Sequence, residues 1–223
     1  MSQSKKSIIK VKTITNYMIM KKIYLLALLI ITVSVFSSCK KNIKNENPQT
    51  VKMYTVMADS TKINWTAYKT TAKVPVKGQF SKITVENEKK DSTVLGALNG
   101  LKFKIPVNSL FTNDTLRDGK LKKFFFGSME NTSMIKGTVH MNNENTSTVE
   151  LTMNGITREL PIAYIVTDNK VSIIGNMELD NWQAKAALEA LNMVCKDLHT
   201  GDDGISKTWS DVKIEVITLL KYE

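Results

Sequence analysis

From residue 63 onward the chain alternates apolar and polar positions with a period of two, the spacing of strands that bury one face. Ile63, Trp65 and Ala67 alternate with Asn64, Thr66 and Tyr68. The stretch 76–85 surrounds Gly78-Gln79-Phe80, where a glycine inside a strand pattern marks a bulge or bend. Leu101, Phe103, Ile105 and Val107 share a third apolar face, with Pro106 marking an edge or a strand end. The same reading predicts strands over 134–141, 148–153, 157–166, 170–178 and 211–220. Asn142-Asn143, Asn154-Gly155 and Asp168-Asn169 are residues that tolerate positive φ in tight hairpins. Eight or nine strands in up-and-down order predict a mainly β protein, an antiparallel sandwich or closed barrel.

Two segments break the alternation. Asp118 is placed to cap a short helix in which Leu121, Phe124 and Phe125 form the apolar stripe and Gly127 ends the run. Asp180 and Gln183 have the spacing of a capping box ahead of an Ala-rich helix that carries Trp182, Ala186, Leu188 and Leu191 to about Val194. Helices among antiparallel strands cover a barrel end or an open edge.

The N-terminal part obeys different rules. Residues 20–39 read as two lysines, an apolar run from Ile23 to Phe36 and small residues ending in Cys39, which is a secretory signal too short to span a membrane comfortably. Phe36-Ser37-Ser38-Cys39 resembles a bacterial lipobox, which predicts a lipid anchor on Cys39. The expected organisation is a signal segment over 1–38, with translation starting at Met18 or Met20 and 1–17 not translated. A lipidated flexible tether over 39–52 and a single domain over 53–223 follow. That anchor predicts a periplasmic, membrane-attached protein, on the inner leaflet of the outer membrane.

Charge changes the picture only when it is divided the same way. The chain has 31 Lys plus Arg and 21 Asp plus Glu, yet after residue 52 the count is 21 against 20. The domain is nearly neutral, which argues against a nucleic-acid protein held by phosphate neutralisation. Catalytic signals are thin: His140 and His199 stand in no recognisable triad, and the ten glycines form no phosphate loop. Cys195 and His199, four apart, supply two ligands where zinc sites use three or four, so no metal and no cofactor is expected. Arg117 and Asp118 read either as a head-group contact or as a helix start with a loop-fixing ion pair.

The alternation marks Trp65, Phe80, Leu101, Phe103, Ile105, Met134, Val139, Met141, Leu151, Met153, Ile162 and Tyr164 as inward candidates. Such residues either pack against one another or surround an apolar ligand, since eight strands closed into a barrel leave room for one small molecule.

The domain resembles the YceI-like family of exported bacterial proteins. The resemblance is carried by Trp65-Thr66-Ala67-Tyr68-Lys69, by Gly78-Gln79-Phe80, and above all by the block from Ser109 to Asp118 with Leu121, Phe124 and Phe125. Residues 151–157 and Trp209 to Ile214 complete it. It implies an eight-stranded lipocalin-like barrel with one or two short helices at its ends, and a long apolar partner such as a polyisoprenoid in the interior. Thr61-Lys62 stands where family members often carry a His-Ser pair, and residues 180–207 are longer and more helical than in many members. The implied function is an envelope lipoprotein that carries a lipid-like ligand. The rival readings are a packed-core protein that binds an envelope partner, and an enzyme acting on a lipid-like substrate.

Overall fold

The computed structural model describes residues 51–142 and 147–223. The signal segment, Cys39, the tether as far as residue 50, and Asn143, Asn145 and Thr146 lie outside the described residues. Thr50–Glu223 forms a compact unit that holds every described strand and the whole described core.

The eight predicted strands are β1 (Tyr54–Lys69), β2 (Val74–Phe80), β4 (Lys102–Pro106), β6 (Met134–His140), β7 (Thr148–Met153), β8 (Ile156–Thr167), β9 (Lys170–Glu178) and β10 (Asp211–Tyr222). Two strands of two residues, β3 (Thr84–Val85) and β5 (Leu110–Phe111), raise the number to ten. All pair antiparallel in the order β3-β4-β6-β7-β8-β9-β10-β1-β2-β5. The sheet curls into a half-barrel whose ladder does not close, and the two short strands bridge the seam. The chain leaving β2 pairs with β4 as β3, and the chain leaving β4 pairs with β2 as β5. The Ser81 N–H also donates to the Ser109 carbonyl across that seam, at 2.9 Å.

β1 changes phase along its length. Its register with β10 shifts between Met57 and Lys62, so Val56 and Ile63, of opposite parity, are both buried. An odd number of inserted residues exchanges the two faces of a strand. The extra loop is held by the Ser60 hydroxyl on the Met57 carbonyl and by a 2.7 Å bond between the Thr61 and Thr218 hydroxyls. The turn between β7 and β8 is the predicted one, with Asn154 and Gly155 both at positive φ.

Helices close the two ends. At the end where β1 starts sits α1 (Val94–Leu98), which the sequence reading missed; the Thr93 hydroxyl accepts from the Gly96 N–H, and Ala97 and Leu98 are buried. At the other end lie α2 (Thr115–Lys120), α3 (Lys185–Val194) and α4 (Lys196–His199). Asp114, not Asp118, caps α2 by accepting from the Arg117 N–H, and Arg117 pairs with Asp114 at 3.3 Å. Asp118 instead turns back to accept from the backbone and hydroxyl of Thr112. α2 runs on into a wide π turn, Leu121–Phe125, and a tight turn, Phe126–Ser128. The wide turn delays the apolar stripe by one residue, so Phe126 is buried where Phe124 was expected. The expected capping box at Asp180 is absent too: Gln183 is left-handed at φ 52°, which ends one short turn, Leu179–Trp182, before α3 begins.

Two concave-face glycines lie under aromatic rings on the facing strand. Gly78 is opposite Trp65 and Gly137 is opposite Phe103. A Cβ on Gly137 would stand 2.6 Å from Phe103 Cζ and 2.8 Å from the Glu150 carbonyl oxygen. Gly137→Ala is therefore expected to destabilise by ~1–3 kcal/mol, because the backbone cannot yield. Gly119, inside α2, has nothing within 4 Å of its Cβ position, so Gly119→Ala is expected to stabilise by ~0.5–1 kcal/mol. Urea denaturation of both variants tests the assignment, and equal effects would refute it.

Candidate functional site

The curled sheet and its helical cover enclose a cavity of about 220 Å³ lined by 35 residues. Its walls come from the inward positions of the eight longer strands, among them Ile63 and Trp65 on β1, Phe103 and Ile105 on β4, and Ile214 and Val216 on β10. The cover contributes Leu121, Phe125 and Phe126 from the turns after α2, and Leu188 and Leu191 from α3. Phe126 meets Phe125 edge-on at 4.9 Å and Phe80 at 6.3 Å, which fixes this cover against β2.

Nine of the twelve inward candidates line the cavity: Trp65, Phe80, Leu101, Phe103, Ile105, Val139, Leu151, Met153 and Ile162. Three do not. Met134 has the parity opposite to Ile135 and Val139 on the same strand, and it is 37% exposed on the convex face. Met141 is buried but lies beyond the lining, where its N–H donates to Asn99 Oδ1. Tyr164 shares a face with Ile162 but sits further along β8, its hydroxyl donating to the Asn142 carbonyl at 3.0 Å. The sequence reading missed the contribution of the cover. The stripe Leu121–Phe125 and the pair Leu188–Leu191 signalled helices, but not which cavity those helices roof.

Polar groups in the lining are few: the hydroxyls of Thr61, Thr208 and Thr218, and the indoles of Trp65 and Trp209. Thr61 and Thr218 bond each other, and Trp209 Nε1 donates to the Thr70 carbonyl at 2.7 Å. The Lys73 and Lys207 ammonium groups both lie over the Trp209 ring, at 4.3 and 3.5 Å from its centroid. Thr208 donates to Asn192 Oδ1 at 2.8 Å and stands 2.7 Å from His199 Nδ1. With its proton given to Asn192, Thr208 receives one from His199, so the imidazole is the Nδ1–H tautomer. Cys195, one turn before His199, is a buried free thiol. Among the described residues, no three His, Cys, Asp or Glu side chains converge as a metal site would require. The cavity offers dispersion contact and burial, and its lining residues carry no carboxylate, imidazole or thiol.

Burial, and secondarily the Lys69 and Lys120 cations, push His199 down to about 4. In the unfolded chain it titrates near the ordinary ~6.5. The unfolded state therefore binds the extra proton in that window. The contribution of neutral His199 to stability is complete above about pH 6.5 and is lost as pH falls through about 4. A melting series from pH 7.5 to 4 should show wild type losing more than His199→Asn, which keeps a donor near Nδ1 and does not titrate. Parallel curves would remove His199 from the account.

A family model, the YceI-like domain, matches residues 54–216. Among solved structures, a polyisoprenoid binding domain from Saccharophagus degradans, implicated in plant cell wall breakdown, superposes with a TM-score of 0.57. It is 13% identical, and the match covers 76% of this chain and 98% of that one. BcnA of Burkholderia cenocepacia is 16% identical at a TM-score of 0.49, over 74% of this chain and 99% of its own. The YceI protein of Campylobacter jejuni is 16% identical at 0.39, over 66% and 85%. No curated protein sequence matches. The structural likeness shows the fold, and the family model spans most of the chain, so this protein belongs to the YceI-like family.

Proposed function

We propose that this protein is an envelope lipoprotein that carries one long apolar molecule, of isoprenoid or fatty-chain type, inside its half-barrel. The observation that carries this reading is the cavity of about 220 Å³ with aliphatic and aromatic walls. Dry apolar cavities of ~150 Å³ already accept benzene, and each CH₂ withdrawn from water contributes ~0.8 kcal/mol. A chain can thus be held without polar recognition along its length. The polyisoprenoid binding described for the Saccharophagus degradans domain of the same fold supports the ligand class. The apolar run ending in Phe36-Ser37-Ser38-Cys39 supports a lipid anchor on the periplasmic side. The lining, lacking carboxylate, imidazole and thiol, supports carriage over catalysis.

The test is lipid extraction and mass spectrometry on Thr50–Glu223 exported to a bacterial periplasm and purified without detergent. A stoichiometric long-chain species is expected. Val216→Phe, which adds a ring to the lining, is expected to lower its stoichiometry at least several-fold while Tm changes little, because the ring enters free space. Met153→Lys should abolish retention. Should Val216→Phe instead cost ~1–3 kcal/mol, as overpacking does, with lipid absent from wild type as well, the interior is a packed core and the carrier reading is wrong.

A further inference from the structure

Scattered exposed hydrophobic side chains are ordinary on a globular domain. The helical cover departs from that, because each of its three helices turns one large apolar side chain into solvent. Leu116 on α2 is 80% exposed, Met193 on α3 is 77% and Leu198 on α4 is 61%. Ile205, in the loop after α4, is a fourth at 55%. These tips belong to one end of the domain. The Ser206 hydroxyl lies 3.3 Å from Asn192 Oδ1 and 3.2 Å from the Lys196 carbonyl oxygen, which ties the loop carrying Ile205 to the end of α3 and the start of α4. α2 reaches the same place: Lys120, one turn beyond Leu116 on the same face, is close enough to His199 for its charge to oppose protonation there.

The charges around the tips are sorted by sign. Arg117 is paired with Asp114, and Asp118 is buried against Thr112. Lys120, Lys122 and Lys123 remain on α2 and the turn after it, and among the described residues none of them is in an ion pair. The carboxylates of α3, α4 and the following loop are Glu189, Asp197, Asp202 and Asp203, the last accepting from the Thr71 hydroxyl and the Ile205 N–H. The unbalanced positive stretch is therefore the one beside Leu116. The inner faces of the same elements roof the cavity through Leu121, Phe125, Phe126, Leu188 and Leu191.

We propose that this cover docks on the surface of an anionic phospholipid bilayer. Leu116, Met193, Leu198 and Ile205 enter the boundary between head groups and acyl chains, and Lys120, Lys122 and Lys123 meet lipid phosphates. Separate tips among lysines suit a fluid head-group layer, which needs no matching shape, better than a protein partner, whose contact centres on one contiguous apolar core. The anchor proposed at Cys39 does not prevent this, although it joins the domain at the opposite end. Thirteen residues, Lys40 to Lys52, extend up to ~45 Å, more than the ~40 Å of the 12-residue β10. Docking does not depend on what the cavity holds.

The test mixes Thr50–Glu223, which contains the whole described core, with sucrose-loaded vesicles. The vesicles are of phosphatidylcholine alone or of phosphatidylcholine with phosphatidylglycerol, and the bound fraction is read by sedimentation at low and high salt. Binding to the anionic vesicles that weakens with salt is expected. The triple variant Lys120→Gln, Lys122→Gln, Lys123→Gln should bind at least tenfold more weakly, since a lysine near an anionic surface contributes about fivefold. Leu116→Ser, Met193→Ser and Leu198→Ser together should lose as much. Ile165→Ser with Ile174→Ser, at exposed apolar positions on the convex face of β8 and β9, should bind as wild type does. A polarity-sensitive fluorophore on Leu198→Cys should shift to the blue with anionic vesicles, and one on Ile165→Cys should not. No binding to anionic vesicles, binding that survives both triple variants, an equal loss in the convex-face variant, or a blue shift only at position 165 would each overturn the inference. So would a dimer, seen by analytical ultracentrifugation without vesicles, that the three serine substitutions dissociate, because a second copy would then cover the tips. None of these outcomes touches the carrier reading, which lipid extraction decides separately.

Discussion

The concave face of a curled sheet has less room than its convex face, and the structure depends on how the largest inward side chains are fitted there. Trp65 and Phe103 each sit directly across from a glycine, Gly78 and Gly137. A ring laid over the bare backbone of the next strand covers its hydrogen-bonded ladder from the interior side, and the missing side chain lets the two strands curve toward one another. Gly175 on β9 repeats the device in milder form: a Cβ there would stand 3.3 Å from Leu160 Cδ2 and 3.4 Å from Ile162 Cγ2. Large rings therefore line an open space instead of filling it, and the same fit that shapes the sheet leaves the cavity.

Much of this was legible in the sequence because period two is a strong signal. All eight longer strands and the Asn154-Gly155 turn followed from alternation and turn chemistry. What stayed illegible depends on interactions that alternation does not encode. Met134 looked inward only because its strand was read without enforcing one parity; Ile135 and Val139 decide that face. The phase change in β1 needs a register with β10 that is visible only once the two strands pair. The π turn after α2 exchanges Phe124 for Phe126 by widening one turn, a choice made by packing on Phe80 and not by local propensity. At Asp118 the error was competition between two partners: the carboxylate found the Thr112 N–H and hydroxyl, and Asp114 took the cap.

The distribution of polar groups follows from the same geometry. Ion pairs such as Lys73–Asp211, Lys90–Glu223 and Lys104–Glu86 lie on exposed or half-exposed side chains, where each contributes little. In the cavity lining, the Thr61 and Thr218 hydroxyls pair with each other and Thr208 with the Asn192–His199 cluster, and a histidine held neutral adds no charge to an apolar wall. Desolvating a charge beside this cavity would be opposed by several kcal/mol, so the polar residues that the cap needs are kept neutral or placed at its rim. The absence of ionisable side chains from the lining is thus a consequence of one requirement, an interior that water does not favour.

An interior of this kind is not free. Walls around a space that nothing fills forfeit their packing contacts, which costs ~24 cal/mol per Å³ where such a void is fully enclosed. Domains of this size are stable by only ~5–15 kcal/mol in total. The empty protein therefore stands closer to its unfolding threshold than a packed barrel of the same length would. Any occupant that fills the space returns part of that deficit as binding energy, in addition to the transfer of its own surface from water. Folding and loading are then coupled through a single quantity, the contact between the walls and whatever lies between them. A wall residue that enlarges the space costs the fold wall contacts, and one that grows into it takes the room of the ligand.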